Sequence, residues 1–85
     1  MGLSGAKTAI KVNGRTRIPD ALTESTLIEV KNVKTLSFTQ QLRDFHTYSK
    51  QNGLKFILYT RPNTTLSGPL QEAINSGSII RKYIP

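Results

Sequence analysis

The segment KFILYT, residues 55–60, constrains the fold of this chain more than any other stretch. It is an apolar run of strand length, and such runs are typical of strands that lie at the centre of a sheet and are buried on both faces. A central strand needs a neighbour on each side. The rest of the chain must therefore supply further strands, together with helices that cover them.

Strand signals precede this run. Asn13-Gly14 lies between two short alternating segments and predicts a two-residue hairpin, because both residues tolerate positive φ. The segment TLIEVKNV is rich in β-branched residues, which favour a strand. In this part of the chain we expect strands at 8–12 and 15–19, a connecting turn at 21–25 and a third strand at 26–33.

The next segment, SFTQQLRDFHTYSKQNG, changes period. Its apolar side chains recur at helical spacing, Ser37 with Gln40 has the pattern of a capping box, and Gly53 supplies a left-handed stop. Ser67, Pro69 and the run LQEAIN then predict a short second helix that ends near Gly77, and SIIRKYI predicts a last strand.

The predicted fold class is α/β (α+β), with a mixed β-sheet flanked by helices in the order β-β-β-α-β-α-β. Between the last two strands, RPNTTLSGP is polar and turn-rich and predicts a mobile loop. The chain has 85 residues, so we expect one domain over residues 1–85 with a small core.

Charge indicates the kind of partner. Twelve Lys and Arg against five Asp and Glu give a net charge of +7, which favours an anionic partner such as nucleic acid. The alternative is that the excess of cations only keeps a small domain soluble. No apolar run is long enough to cross a bilayer, so we expect no membrane contact, and the absence of cysteine excludes disulfides and thiolate metal sites.

The few acids have a suggestive arrangement. Asp20 follows a proline, which tends to end strand pairing. Glu29 and Lys31 are two residues apart and share one face of the third strand, and we expect Ile28 and Val30 to pack on the other. If the second and third strands are neighbours, Asp20 and Glu29 converge on one divalent cation with Lys31 beside it, which suits phosphodiester hydrolysis. The alternative is that Glu29 and Lys31 form the exposed face of an amphipathic strand, since short motifs occur by chance.

The succession Pro19-Asp20, then Glu29-x-Lys31 on the following strand, then a capped helix resembles the core of the PD-(D/E)xK nucleases, the restriction-endonuclease-like superfamily. From about Lys11 onward, the chain is similar to the restriction-endonuclease-fold toxin domains at the C-terminal tips of bacterial polymorphic toxins. The resemblance implies that residues 1–85 are a nuclease-like domain, either a natural short form or a piece of a larger toxin.

The resemblance also implies site residues. Asp20 and Glu29 would bind Mg²⁺ or Mn²⁺ with the backbone carbonyl of Val30, and Lys31 would be the catalytic lysine. Gln41 matches the glutamine of a Q-x-x-x-Y element that helps to hold the site, although Phe45 stands where that element has tyrosine. The alternative is that Gln41 only borders the core. The candidate nucleic-acid contacts are Arg17, Lys34, Arg43 and Arg61.

The implied function is metal-dependent hydrolysis of DNA by a bacterial toxin effector. Such effectors are secreted or delivered by contact, act in the target-cell cytoplasm and are neutralised by a cognate immunity protein. Two alternatives stay open, namely an RNase of the same fold, such as a tRNase, and a basic nucleic-acid-binding module or inactive nuclease remnant without turnover. The superfamily often has a helix before the hairpin, whereas only MGLSGAK precedes the first predicted strand here. We therefore expect an uncovered sheet face that a homo-oligomer could fill.

Overall fold

The computed structural model describes residues 8–85. Its elements are β1 (Ile10–Val12), β2 (Arg15–Arg17), β3 (Ala21–Leu22), β4 (Thr26–Lys31), β5 (Thr35–Leu36), α1 (Gln40–Gln51), β6 (Lys55–Thr60), β7 (Thr65–Leu66), α2 (Gly68–Asn75) and β8 (Ile80–Tyr83). Among the described residues, no helix is long and apolar enough to cross a bilayer. The predicted order is right for both helices and the main strands, but it lacks the short strands β3, β5 and β7.

The main sheet has the order β3-β4-β6-β8. β3 is antiparallel to β4, whereas the β4–β6 and β6–β8 pairs are parallel. The chain moves in the same direction across the sheet through α1 and again through α2, and right-handed crossovers of this kind place both helices on the same face. The predicted mixed-sheet fold is confirmed, with both helices on one face of the sheet.

The core lies between this face and the helices. Leu27, Phe56 and Leu58 of the sheet are buried in one cluster with residues of both helices. Ile57 and Tyr59, on the other face of β6, are only half-buried. The expectation that β6 is buried on both faces is therefore wrong, because no element among residues 8–85 packs a second core there.

The hairpin is confirmed, since Asn13 and Gly14 have φ of 50° and 80°. It forms its own two-stranded sheet, with Ile10 opposite Arg17, and does not pair with the main sheet. β2 ends at Arg17, before the expected strand end. The expected turn at 21–25 is also wrong in part, because its first two residues form β3.

The start of α1 differs from the prediction. The N-cap is Thr39, whose side chain accepts a hydrogen bond from the Leu42 N–H, so the expected Ser37 capping box is wrong. The expected stop is present, because Gly53 has φ of 66°. Ser67 caps α2 by accepting from the Leu70 N–H, and Gly77 with φ of 85° follows the helix.

The predicted loop between β6 and α2 is anchored to the crossover that leads into α1. β5 pairs with β7 in parallel, and the Thr65 N–H donates to the Lys34 carbonyl at 3.0 Å. The Thr64 hydroxyl donates to the Val33 carbonyl at 2.8 Å. The two crossovers therefore run side by side from the sheet to the helices.

Candidate active site

Asp20 and Glu29 meet as the sequence predicts, but through a different strand. Asp20 directly precedes β3, and β3 is the antiparallel neighbour of β4. The Asp20 N–H donates to Glu29 Oε1 at 3.1 Å, and Asp20 Oδ2 accepts from the Val30 N–H at 2.8 Å. The strand that brings the two carboxylates together is thus β3 rather than the second strand of the hairpin.

Lys31 and Gln41 complete the group. Lys31 Nζ lies 3.3 Å from Glu29 Oε2 and donates to Gln41 Oε1 at 2.6 Å. Gln41 is in the first turn of α1, which packs on the same face of the sheet that carries Glu29. Asp20, Glu29, Lys31 and Gln41 are therefore connected side chain to side chain or through the backbone, and we call them the carboxylate–lysine cluster.

The cluster lies on the packed face of β4, which is the reverse of the expectation. Glu29 shares this face with Leu27 and is only 4% exposed, whereas Val30 on the other face is 43% exposed. The expectation of a packed Ile28–Val30 face and a solvent-facing pair of charges is wrong. Burial of Glu29 is tolerated because the Asp20 N–H and the Lys31 ammonium contact its two oxygens.

Burial raises the pKa of Glu29, and the nearby Asp20 carboxylate raises it further, while the Asp20 N–H and Lys31 oppose this rise. An ionised Glu29 is therefore costly unless more positive charge is present. Two neighbouring carboxylates supply oxygen ligands of the kind that a hard cation such as Mg²⁺ binds. Among residues 8–85 there is no group of three or more His, Cys, Asp or Glu side chains that could hold a metal ion.

A family model described as restriction endonuclease fold toxin 7 matches residues 2–70 of the chain. The chain belongs to this family. The match includes the whole carboxylate–lysine cluster and the paired strands β5 and β7, and it ends within α2. No curated protein and no solved structure matches the chain significantly.

Sequence reasoning missed one buried acid of this toxin. Asp44 of α1 is 1% exposed and binds Arg15 of the hairpin through both of its oxygens, at 2.7 and 2.8 Å. Arg17 also donates to it at 2.8 Å, as does Gln40 at 3.0 Å. The signal was available, because position 44 falls three residues after Gln41, on the flank of the apolar stripe of the helix. Arg17, a predicted nucleic-acid contact, is thus engaged by a buried carboxylate.

The other predicted contacts of the toxin lie on the two crossovers or next to them. Lys34 is exposed, and Arg61 donates to the Asn32 side chain. Arg43 donates to the Phe38 carbonyl at 3.0 Å, and its guanidinium lies 4.4 Å from the centre of the Phe38 ring. Lys34 and Arg61 follow the ends of β4 and β6 at which Lys31 and Thr60 are register partners, and Arg43 lies in the first turn of α1.

Proposed function

We propose that this toxin is a metal-dependent nuclease that hydrolyses phosphodiester bonds of DNA. The observation that carries the proposal is the carboxylate–lysine cluster, in which a buried carboxylate contacts a second acidic residue and lies 3.3 Å from a lysine ammonium. Membership of a restriction endonuclease fold toxin family supports the same chemistry.

Each residue of the cluster has a role in this proposal. Asp20 and Glu29, with the backbone carbonyl of Val30, hold Mg²⁺ or Mn²⁺. When bound, such a cation polarises the phosphate and makes a bound water more acidic. The Lys31 ammonium offsets negative charge that develops on the phosphate oxygens. Gln41 holds that ammonium in place through the 2.6 Å hydrogen bond to its Oε1.

The biological setting belongs to the same proposal. The toxin is secreted or delivered by contact, acts on nucleic acid in the cytoplasm of a target cell, and is neutralised by a cognate immunity protein. The net charge of +7 supports a polyanionic substrate but does not distinguish the two nucleic acids. We favour DNA, with an RNase such as a tRNase as the alternative.

A cleavage assay tests the proposal. Supercoiled plasmid and total transfer RNA are each incubated with Mg²⁺, with Mn²⁺ or with chelator, and wild type is compared with Asp20→Ala and Lys31→Ala. Lys50→Ala is the matched control, because Lys50 is an exposed lysine in the last turn of α1. We expect metal-dependent plasmid cutting that falls by at least about 100-fold in both cluster variants, because electrostatic groups in such sites contribute on this scale, and that is unchanged in the control.

Other outcomes would correct the proposal in distinct ways. Cutting of transfer RNA without cutting of plasmid would replace DNase by RNase. Binding of nucleic acid without cutting in any lane would contradict the nuclease hypothesis and favour a basic nucleic-acid-binding module without turnover. Equal cutting by wild type and Lys31→Ala would remove the cluster from the mechanism.

A further inference from the structure

The tripeptide Thr-Leu-Ser occurs twice in the chain, at residues 35–37 and 65–67. The two copies lie side by side in parallel, with Thr35 opposite Thr65 and Leu36 opposite Leu66. The Ser67 N–H donates to the Leu36 carbonyl at 3.0 Å and continues the pairing. Because side chains alternate along extended chain, both leucines face the core and the four hydroxyl residues share the outer face. We call residues 35–37 and 65–67 the hydroxyl ribbon.

The hydroxyl ribbon lines a pocket. The pocket has a volume of about 330 Å³, and its walls are the six residues of the ribbon. The Ser67 hydroxyl accepts from the N–H groups of Phe38 and Leu70. The hydroxyls of Thr35, Ser37 and Thr65 make no hydrogen bond with any of residues 8–85. Three hydroxyls, each able to donate and accept, are therefore available to a ligand in this pocket.

The pocket is supported by a set of hydrogen bonds from Arg81 and Thr64. The Arg81 guanidinium donates to the Thr60 hydroxyl at 2.9 Å and to the carbonyls of Arg61 and Thr64 at 3.1 and 3.3 Å. The Thr64 hydroxyl in turn donates to the Val33 carbonyl at 2.8 Å. One cation thus fastens the loop after β6 to the sheet, and this loop is fastened to the loop after β4. Ligand binding would cost little conformational entropy, because hydrogen bonds already hold the loops of the pocket in place.

The charge around the hydroxyl ribbon selects the class of ligand. Neither 30–43 nor 55–71, the segments that contain its two halves, has an Asp or Glu. The exposed Lys34 directly precedes Thr35, and the exposed Arg61 lies on the loop before Thr65. Arg43 contacts the Phe38 carbonyl, next to the Ser67 hydroxyl that Phe38 binds. Hydroxyls with lysine and arginine, and without acids, are the groups that contact phosphate and sugar oxygens of nucleic acids.

We propose that the hydroxyl ribbon binds the sugar–phosphate backbone of the nucleic acid that the carboxylate–lysine cluster acts on. Lys31 and Gln41 of the cluster flank the segment that contains residues 35–37, which is one half of the ribbon. A nucleic-acid strand bound at the cluster can therefore continue into the pocket. This inference rests on the proposed function for the identity of the polymer as substrate, but the binding itself does not depend on cleavage.

Binding without cleavage tests the ribbon. Fluorescence anisotropy is measured with labelled duplex DNA and with transfer RNA, in chelator, over about 50–200 mM salt. Thr65→Glu adds a charge to the ribbon, and Gln51→Glu adds the same charge to the exposed end of α1 as the matched control. We expect Thr65→Glu to weaken binding about tenfold and to reduce the salt slope by about one, and Gln51→Glu to change affinity by less than about twofold.

A second variant removes hydroxyls without adding charge. Thr35→Val with Thr65→Val keeps the branched shape that strands favour. We expect about threefold to tenfold weaker binding at an unchanged salt slope, because neutral hydrogen bonds are lost and no ion pair is. This variant decides the question if thermal unfolding shows that Thr65→Glu does not fold.

The outcomes separate this inference from the proposed function. If the folded Thr65→Glu variant binds as tightly as Gln51→Glu, or if the folded valine variant binds like wild type, the ribbon proposal is wrong, whatever the cleavage assay shows. If wild type never cleaves but both ribbon variants lose affinity, the ribbon proposal holds and the nuclease proposal fails.

Discussion

At the scale of single residues, there are two interpretations of Gln41, which either helps to hold the proposed site or only borders the core. Its amide oxygen lies 2.6 Å from the Lys31 ammonium, so it can orient the lysine of the proposed site without touching substrate. We expect Gln41→Ala to lower kcat for cleavage about 10- to 100-fold with little change in KM, as for other groups that orient site residues. Gln51→Ala, in the exposed last turn of the same helix, is the control. Unchanged kcat in a folded Gln41→Ala protein would mean that Gln41 only borders the core.

The same scale shows what a single sequence predicts about the site. Asp20, Glu29, Lys31 and Gln41 were all predicted from the motif and the resemblance, and the structure brings them together. The sequence analysis placed Glu29 and Lys31 on the exposed face of β4, whereas the structure places them on the packed face. β4 has apolar residues on both faces, Leu27 on one and Ile28 with Val30 on the other, so its alternation does not choose a face. The choice depends on where α1 packs, which is not encoded within the strand.

At the scale of elements, one buried carboxylate joins the hairpin to α1. Asp44 receives hydrogen bonds from Arg15 and Arg17 of β2. We expect Asp44→Asn to lower the free energy of unfolding at pH 7 by about 1–2 kcal/mol, less than for a fully buried ion pair because both arginines keep contact with water. Urea unfolding measures the difference, with Gln51→Ala as the control. A decrease in the free energy of unfolding below about 0.3 kcal/mol would contradict the idea that Asp44 stabilises the contact between the hairpin and α1.

The contacts of Asp44 with the two arginines also predict how the free energy of unfolding depends on pH. Hydrogen bonds from Arg15, then from Arg17 and Gln40, hold the pKa of Asp44 far below its ordinary value of 3.8, although burial opposes them. A carboxyl whose pKa is lowered by folding contributes stability above its unfolded pKa and loses it as the pH falls towards the folded pKa. The stability difference between wild type and Asp44→Asn should therefore be constant from pH 7 to about pH 5 and shrink only below about pH 4. A difference that shrinks between pH 7 and pH 5 would contradict this assignment.

The elements that sequence patterns failed to predict are the short ones. β5 and β7 are two residues each, and neither has a period that could be read. They exist because two crossovers from neighbouring parallel strands run side by side, which is a property of the sheet order. The hairpin, both helices and β6 were predictable because their turn residues and periodicity are local, although the predicted N-cap of α1 was Ser37 and the observed one is Thr39.

At the scale of the whole molecule, one face of the sheet is uncovered by any element among residues 8–85. Ile28, Ile57 and Ile80 lie in register across it, and Val30 and Ile80 are exposed. The expectation of a homo-oligomer through this face stays a prediction. Copies that each carry +7 repel one another, so apolar self-association should strengthen as salt screens the charge.

Sedimentation over a concentration series, at low and high salt, tests this expectation. We expect the mass to rise with concentration, more so at high salt, and Val30→Lys to keep the protein monomeric. Lys82 is in register with Tyr59 and Val30, so the added lysine also increases like-charge repulsion on this face. A monomeric mass for wild type under all conditions would show that this face does not join copies of the chain.

The position of the cluster along the chain has a consequence for the order of assembly. Its four side chains come from one continuous segment, residues 20–41, whereas the two halves of the hydroxyl ribbon come from either side of α1 and β6. Contacts between residues close in sequence form with less loop-closure entropy than distant ones. An intermediate that contains β3, β4 and α1 would thus have its acids and lysine in place before the parallel pairing of β5 with β7 exists. During folding of this chain, the acids and the lysine would therefore come together first and the two halves of the hydroxyl ribbon last.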